Sequence, residues 1–225
     1  MSIAIAIDGP AGAGKSTIAK LAAKELGYIY VDTGALYRAI GLAASRRSLT
    51  SDNKAEIIAM LDEIKVELAF NEAGEQIVLL DGEDVSGLIR TPEISMMASS
   101  VSAIPEVRAF LLELQREMAR TSNVIMDGRD IGTVVLPDAN LKIFLSASAE
   151  CRAKRRYDEL IEKGMDVEYE QILRDVIDRD YADSHRDIAP LKPAEDAVSV
   201  DTSGEDLETS VNKLLLIMKK ELGLD

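Results

Sequence analysis

The chain has 225 residues, with 26 Lys plus Arg against 40 Asp plus Glu, a formal net charge of −14 with its single His neutral. Hydrophobic residues make up 47% and charged residues 29%, which excludes a disordered or fibrous chain and leaves room for one sizeable core with an inserted subdomain. No apolar run approaches the ~20 residues that span a bilayer, and Cys151, the only cysteine, excludes an intrachain disulfide and argues against a cysteine metal site.

In chain order, residues 3–8 form a short run, apolar on both faces as in a buried parallel strand, that ends in Gly9-Pro10. Residues 15–26 have helical spacing, with Ile18, Leu21, Ala22 and Leu26 on one stripe and a stop at Gly27. A strand over 28–31 and a helix over 34–45 follow. Further strands are expected at 123–126, 141–145 and 197–200, with helices over 106–120, 149–162, 169–179 and 207–222. Alternating strands and helices imply right-handed crossovers and an α/β fold, a five-stranded parallel sheet flanked by helices. The middle breaks this rhythm: 64–70 and 76–80 read as strands joined by the turn Asn71-Glu72-Ala73-Gly74. A hairpin between two α/β halves predicts a small inserted subdomain over 60–104 within a single domain spanning 1–225. The sequence shows no internal repeat, low-complexity tract or flexible linker.

Gly9-Pro10-Ala11-Gly12-Ala13-Gly14-Lys15-Ser16 matches the phosphate-binding loop (P-loop) pattern without a mismatch, with a strand before it and a helix after. The glycines let the backbone fold around a polyphosphate with its N–H groups pointing inward, and the helix presents its own unpaired N–H groups to the same anion. In this pattern Lys15 reaches the β- and γ-phosphates, the Ser16 hydroxyl ligates Mg²⁺, and Thr17 helps with phosphate oxygens. The alternative is a plain Gly/Ala-rich turn. The motif implies a nucleoside triphosphate and does not name the reaction. With no Asn-Lys-x-Asp guanine-reading motif and no accessory ATPase motifs, a small kinase is the natural reading at this length.

Other candidates sit where second strands end. Asp32-Thr33-Gly34-Ala35-Leu36-Tyr37-Arg38 follows the second strand, at the sheet edge where ligands of open α/β folds bind. A hydroxyl, a Gly, an aromatic and an Arg there suit a nucleobase and a phosphate; equally, Thr33 could merely start a helix that Tyr37 and Arg38 cover. Asp127-Gly128-Arg129-Asp130-Ile131-Gly132 follows an apolar strand, the pattern of an acid that holds Mg²⁺, directly or through water; the alternative is a surface turn with a local ion pair. Arg152, Arg155 and Arg156, with Lys154 among them, are either a solvated helix face or mobile arginines that close over reacting phosphates, with Gly164 permitting motion. Asp178-Arg179-Asp180 and Asp183-Ser184-His185-Arg186 form a second charged cluster, in which His185 reads as a surface neighbour rather than a base. Cys151 and the methionines read as packing.

Taken together, these motifs resemble the bacterial cytidylate kinases of the nucleoside monophosphate kinase family. The resemblance also takes in Gly82-Glu83-Asp84-Val85-Ser86, Ile89-Arg90, Ala98-Ser99, Pro105-Glu106-Val107-Arg108, Thr133-Val134-Val135 and Ala189-Pro190-Leu191, and so runs along nearly the whole chain. It implies transfer of a phosphoryl group from ATP to CMP or dCMP with Mg²⁺. Carried onto this chain, it implies that Thr33, Arg108, Asp130 and Arg186 read the cytosine, that Ser99, Arg179 and Asp183 meet the pentose, that Arg38 and Arg129 hold the monophosphate, and that 152–165 is a mobile lid. Asp130 suits the cytosine N4 donor, and arginines suit N3 and O2. Tyr37 and Asp127 join the acceptor set, and Arg129, Asp130 and the lid arginines join Lys15 in the catalytic set. The family often has Ser where Thr33 stands; the hydroxyl is kept and a methyl is added. The 60–104 insertion would enlarge the monophosphate region.

The acceptor phosphate is already ionised, so this transfer needs alignment and charge neutralisation rather than a base. Two other readings stay open on the residues alone: a P-loop kinase for UMP or a small hydroxylated metabolite, with Asp127 or Asp130 as base, and a nucleotide-binding switch without transfer activity. The start of the chain, Met1–Asp8, lacks a basic region and meets an acid at once, unlike a signal peptide. A cytoplasmic monomer is expected. The charge of −14 argues against nucleic-acid or anionic-membrane partners while allowing small anionic nucleotides, since nine of the 26 basic residues fall in the proposed substrate clusters.

Overall fold

The first half of the chain forms β1 (Ala4–Asp8), α1 (Lys15–Leu26), β2 (Ile29–Asp32), α2 (Thr33–Arg46), α3 (Lys54–Leu61), β3 (Val66–Phe70), β4 (Gln76–Leu80), β5 (Glu83–Asp84), α4 (Pro92–Val101) and α5 (Pro105–Thr121). The second half forms β6 (Val124–Gly128), a π-helical turn (Ile131–Val135), β7 (Leu141–Ser146), α6 (Ala149–Glu162), α7 (Tyr169–His185), β8 (Val198–Asp201) and α8 (Leu207–Leu222). The computed structural model describes residues 2–72 and 75–224. β1 is the middle strand of a five-stranded sheet of order β2-β6-β1-β7-β8, and a separate sheet has the order β3-β4-β5. The α/β fold expected from the sequence is therefore present.

The chain divides into two compact units, one of residues 3–29 and 123–224, the other of residue 2 and residues 30–122. In the first, β1 pairs in parallel with β6, from Ala4 opposite Val124 to Asp8 opposite Gly128, and with β7, ending at Asp8 opposite Phe144. These registers bring Asp8, Gly128 and Phe144 level at the carboxyl edge of the sheet, where loops of open α/β folds carry ligand chemistry. Ile5, Ala6, Ile7, Ile125 and Met126 have no exposed surface, as two helix-covered faces require. α1 starts after Gly14 and stops at Gly27, both in the left-handed region with φ of 88° and 66°. α6 and α7 lie together over a small core of Ala153, Leu160 and Ile172, with Tyr157 edge-on to Tyr169.

The second unit has its own core, which includes Leu36, Ile40, Ile57, Met60, Val78 and Leu111. α2 and α4 cross closely at Gly41, where a Cβ would come within 3.1 Å of the Ala98 nitrogen and 3.3 Å of the Ile94 carbonyl oxygen. The β3–β4 hairpin runs in antiparallel register from Val66 opposite Leu80 to Phe70 opposite Gln76. Of its turn, Asn71 accepts a hydrogen bond from the Glu75 N–H at 2.9 Å, while residues 73 and 74 lie outside the described residues.

The strands and helices foreseen from the sequence match to within a few residues, and four elements exceed that reading. α3 is apolar on nearly every side of its eight residues, so it offers no stripe. α4 is capped by Thr91 with Pro92 in its first turn, a start signal the sequence reading passed over. β5 is two residues long. Ile131–Val135 reads as strand by composition and winds as a π-turn. α7 also runs on to His185, through polar residues that carry no periodic signal. Among the described residues no helix is long and apolar enough to cross a membrane.

A Cβ at Gly9, φ 152°, would collide with the Leu145 carbonyl oxygen, whereas one at Gly27, φ 66°, would meet nothing within 4 Å. Urea denaturation should therefore separate the two: Gly27→Ala is expected to cost about 1–2 kcal/mol, the left-handed penalty alone, and Gly9→Ala upwards of ~4 kcal/mol.

Candidate active site

The first unit concentrates ionisable groups at the carboxyl edge of its sheet. The P-loop, Gly9–Ser16, leaves β1 with positive φ at Gly9, Gly12 and Gly14 and delivers Lys15 to the first turn of α1. Lys15 is 5% exposed, and its ammonium donates to the Pro10 carbonyl at 2.8 Å. Burial, and after it the positive charge of Arg129, push Lys15 down to about 7, while Asp127, Asp8 and Asp183 pull it back up. A buried cation in that condition favours an added anion. Ser16 and Thr17 lie exposed on the same turn. The Ser16 hydroxyl donates to Asp127 Oδ2 at 2.9 Å, so two oxygen ligands suited to a hard cation stand side by side.

Asp127 ends the apolar β6, and Arg129 and Asp130 follow it. Arg129 donates through Nε to Asp183 Oδ2 at 2.9 Å, tying this loop to α7. Burial pushes Asp183 up, but Arg129, then Arg179 and Arg186, outweigh it and hold the carboxyl below its ordinary range. Asp130 is buried, with the Arg186 guanidinium 3.6 Å from its Oδ1, and Arg186 Nε donates to the Ala189 carbonyl at 2.7 Å. A carboxylate and a guanidinium side by side offer an acceptor and donors to one polar ring edge.

The arginines of α6 are sorted by their partners. Arg152 is buried: Nε donates to the Ala147 carbonyl at 2.8 Å, Nη1 to the Ala11 carbonyl of the P-loop at 3.0 Å, and both Nη groups pair with the Asp180 carboxylate. Arg155 donates to the carbonyls of Thr202 and Glu205, at 2.9 and 3.4 Å, and its Nη1 would lie 3.8 Å from a Cβ at Gly14. Arg156 pairs with Glu159 on the same helix at 2.8 Å. His185 is an exposed neighbour stacked on Tyr181.

The second unit holds the remaining candidates. Asp32 caps α2 by accepting the Ala35 N–H at 3.0 Å and pairs with Arg38 at 2.7 Å. Gly34 lets them meet, since a Cβ there would lie 3.1 Å from Arg38 Nη1 and 3.2 Å from Asp32 Oδ1. Gln76 of β4 accepts the Asp32 N–H at 2.8 Å and steadies that corner. Thr33 is buried in the first turn of α2. The Arg108 guanidinium sits 5.6 Å from the centre of the Tyr37 ring and donates to the Ser102 carbonyl at 3.3 Å, and Ser102 in turn donates to the Ser99 carbonyl at 2.8 Å.

Sequence reasoning gave no role to two charged residues that the structure places in this array. Asp180 neutralises Arg152, and Asp8 grips the turn after Asp130 with both carboxylate oxygens. Asp8 carried a signal, an acid ending an apolar strand immediately before a P-loop.

A family model described as cytidylate kinase matches residues 5–220. A cytidylate kinase of Caldicellulosiruptor saccharolyticus is 53% identical over 221 residues, 98% of this chain and 97% of its own. One of Streptococcus gordonii is 49% identical over 209 residues, 93% of each chain. Among solved structures, an uncharacterized protein from Eubacterium ventriosum superposes with a TM-score of 0.54 at 12% identity, over 97% of this chain and 99% of its own, a likeness of fold alone.

Because Asp183 is held below its ordinary value near 4, its ion pairs add stability above that value, and the gain is lost as pH falls through the lower folded one. Asp183→Asn is expected to start from lower stability at neutral pH and to lose less of it on acidification, measured as urea midpoints between pH 7 and pH 3.

Proposed function

The chain belongs to the cytidylate kinase family and is a phosphotransferase that uses ATP to convert CMP and dCMP to their diphosphates; from that premise we propose which residues do the work. Gly9, Pro10, Ala11, Gly12, Ala13, Gly14, Lys15, Ser16 and Thr17 bind the ATP phosphates. Arg129 and Arg38 hold the acceptor phosphate. Asp130, Arg186, Thr33 and Arg108 read the cytosine, with Tyr37 beside Arg108. Asp183, Arg179 and Ser99 meet the pentose. The observation that carries this reading is geometric: beside the buried Lys15, Ser16 of the P-loop donates to Asp127 at 2.9 Å and Arg129 of the following loop donates to Asp183 at 2.9 Å. The P-loop lysine and the acceptor-side residues of the first unit thus form one array.

The residues fit Mg²⁺ as well. Ser16 and Asp127 would hold it, Asp127 directly or through water; a magnesium ion needs only one or two protein oxygens when phosphates and water supply the rest. When bound, the ion offsets charge on the transferring phosphates. Lys15 adds its ammonium to the same end of the donor, and its pKa rises again in the presence of that anion. Arg129 turns from Asp183 towards the acceptor oxygen or shares itself between the two. No side chain takes a proton from the acceptor, because that oxygen is already ionised. Alignment and charge neutralisation supply the acceleration.

Residues 152–165 serve as a lid, with Arg155 beside Gly14 as the arginine nearest the donor phosphates, Arg152 bracing the P-loop and Arg156 on the outer face. The segment 60–104 serves the monophosphate-binding region. The enzyme works in the cytoplasm as a monomer on small nucleotides, without nucleic-acid or membrane partners.

A coupled assay of ATP against a panel of monophosphates is expected to give turnover with CMP and dCMP; a panel without turnover overturns the reading. Lys15→Ala should lower kcat by about 10²-fold or more, and near-normal steady-state turnover would remove the P-loop from catalysis. Asp130→Ala should lower kcat/KM for CMP by roughly 10²-fold with little change in ATP affinity.

A further inference from the structure

Asp8 is the last residue of β1, and the P-loop begins at the next residue. Its side chain is 3% exposed, and both carboxylate oxygens are committed: Oδ1 accepts the Ile131 N–H at 2.7 Å and Oδ2 accepts the Gly132 N–H at 2.7 Å. Those amides open the π-turn, whose own hydrogen bonds begin only with Val134, donating to the Asp130 carbonyl at 2.9 Å. Opening N–H groups of a helical turn have no internal partner, and burying them unpaired is costly. Gly132 packs closely against this grip. A Cβ there would lie 3.2 Å from the Lys142 stem and 3.4 Å from Asp8 Oδ2, and that stem is held in place by the Lys142–Asp196 pair. On the other side, strand pairing sets Gly128 opposite Asp8 itself. Arg129 and Asp130 are therefore bracketed, by the β-ladder before them and by the Asp8 carboxylate after them.

We propose that Asp8 is a positioning residue for phosphoryl transfer, fixing the backbone of Arg129 and Asp130 relative to the P-loop by holding the two amides that follow. This rests on the reading of Arg129 and Asp130 as acceptor-side residues. Both carboxylate oxygens of Asp8 are taken up by these amides. Its backbone runs directly into the donor loop and its carboxylate holds the acceptor loop by two hydrogen bonds, so a shift of either loop is transmitted to the other. Displacements of the order of 1 Å between reacting groups can cost about 10²-fold in rate.

The test is Asp8→Asn. The isosteric amide keeps one acceptor and turns an NH₂ towards the other N–H. Expected are faster hydrogen exchange at the Ile131 and Gly132 amides, a KM for CMP raised about 10-fold, a kcat lowered about 10- to 100-fold, and equilibrium binding of a non-hydrolysable ATP analogue within about 3-fold of the parent. A merely structural role would lower the active fraction and move kcat with both KM values unchanged. That pattern, an equal loss of ATP-analogue affinity, or an unaltered enzyme overturns the proposal. If Asp8→Asn does not fold, Gly132→Ala supplies the same reading: Asp8 stays, the methyl crowds the Lys142 stem and the Asp8 carboxylate, and the CMP-selective defect must reappear or the proposal fails. Asp130→Ala measured alongside separates the two layers. If it leaves CMP kinetics intact, the acceptor-side reading fails. If it impairs them while Asp8→Asn loosens the amides without moving the KM for CMP, only the role of Asp8 fails.

Discussion

An ammonium buried at the edge of an apolar sheet is the constraint around which the first unit is arranged. Lys15 opens α1 just beyond the carboxyl end of a buried strand, and its desolvation must be offset by negative charge close by. Asp8, Asp127 and Asp183 provide that charge, and Arg129 in turn keeps Asp183 ionised. Each of these groups answers another, and their sum leaves Lys15 short of compensation. An array of this kind is stable as folded and still improved by an added polyphosphate, which is the condition for binding energy to be directed at the reacting groups.

The register of the sheet makes that arrangement possible. β1 and β6 end level, with Asp8 opposite Gly128 and Asp127 opposite Ile7, so the P-loop and the Arg129–Asp130 loop leave the sheet at one height. Close backbone approach then fixes what leaves it: Gly9 passes the Leu145 carbonyl where no side chain fits. The second unit is built differently, with helices crossing at Gly41 and an antiparallel hairpin tied to the corner at Asp32 through Gln76. Its candidate residues sit at a helix start and on helix faces, and they are organised by short local contacts such as Asp32 with Arg38 and Arg108 with Tyr37.

What the sequence discloses follows from the range of the interactions. The P-loop is contiguous, so its residues, its flanking strand and its helix from Lys15 to Leu26 are legible together. The acid after β6 is legible because an apolar strand points to it. The pairing of Asp8 with amides 123 and 124 residues away is not, nor is that of Arg152 with Asp180, because nothing local marks the partner. The π-turn at Ile131–Val135 hides for another reason: its β-branched residues favour a strand, and the Asp8 grip overrides that preference. α3 hides because five consecutive apolar residues, Ile57 to Leu61, blur the period of a two-turn helix.

The contrast between Arg152 and Arg155 has a consequence for what can move in α6. Arg155 holds on to two neutral carbonyls, a grip that costs about 1 kcal/mol per hydrogen bond to let go and leaves no charge stranded. Pulling Arg152 away would abandon the half-buried Asp180 carboxylate and the Ala11 carbonyl together, and a hydrogen bond to a charged partner is worth about 1.5–3 kcal/mol. Three residues apart on one helix, the two side chains therefore differ in stiffness. Arg155 can be redirected by rotamer changes alone, while Arg152 ties the start of its helix to the Ala11 carbonyl and to Asp180.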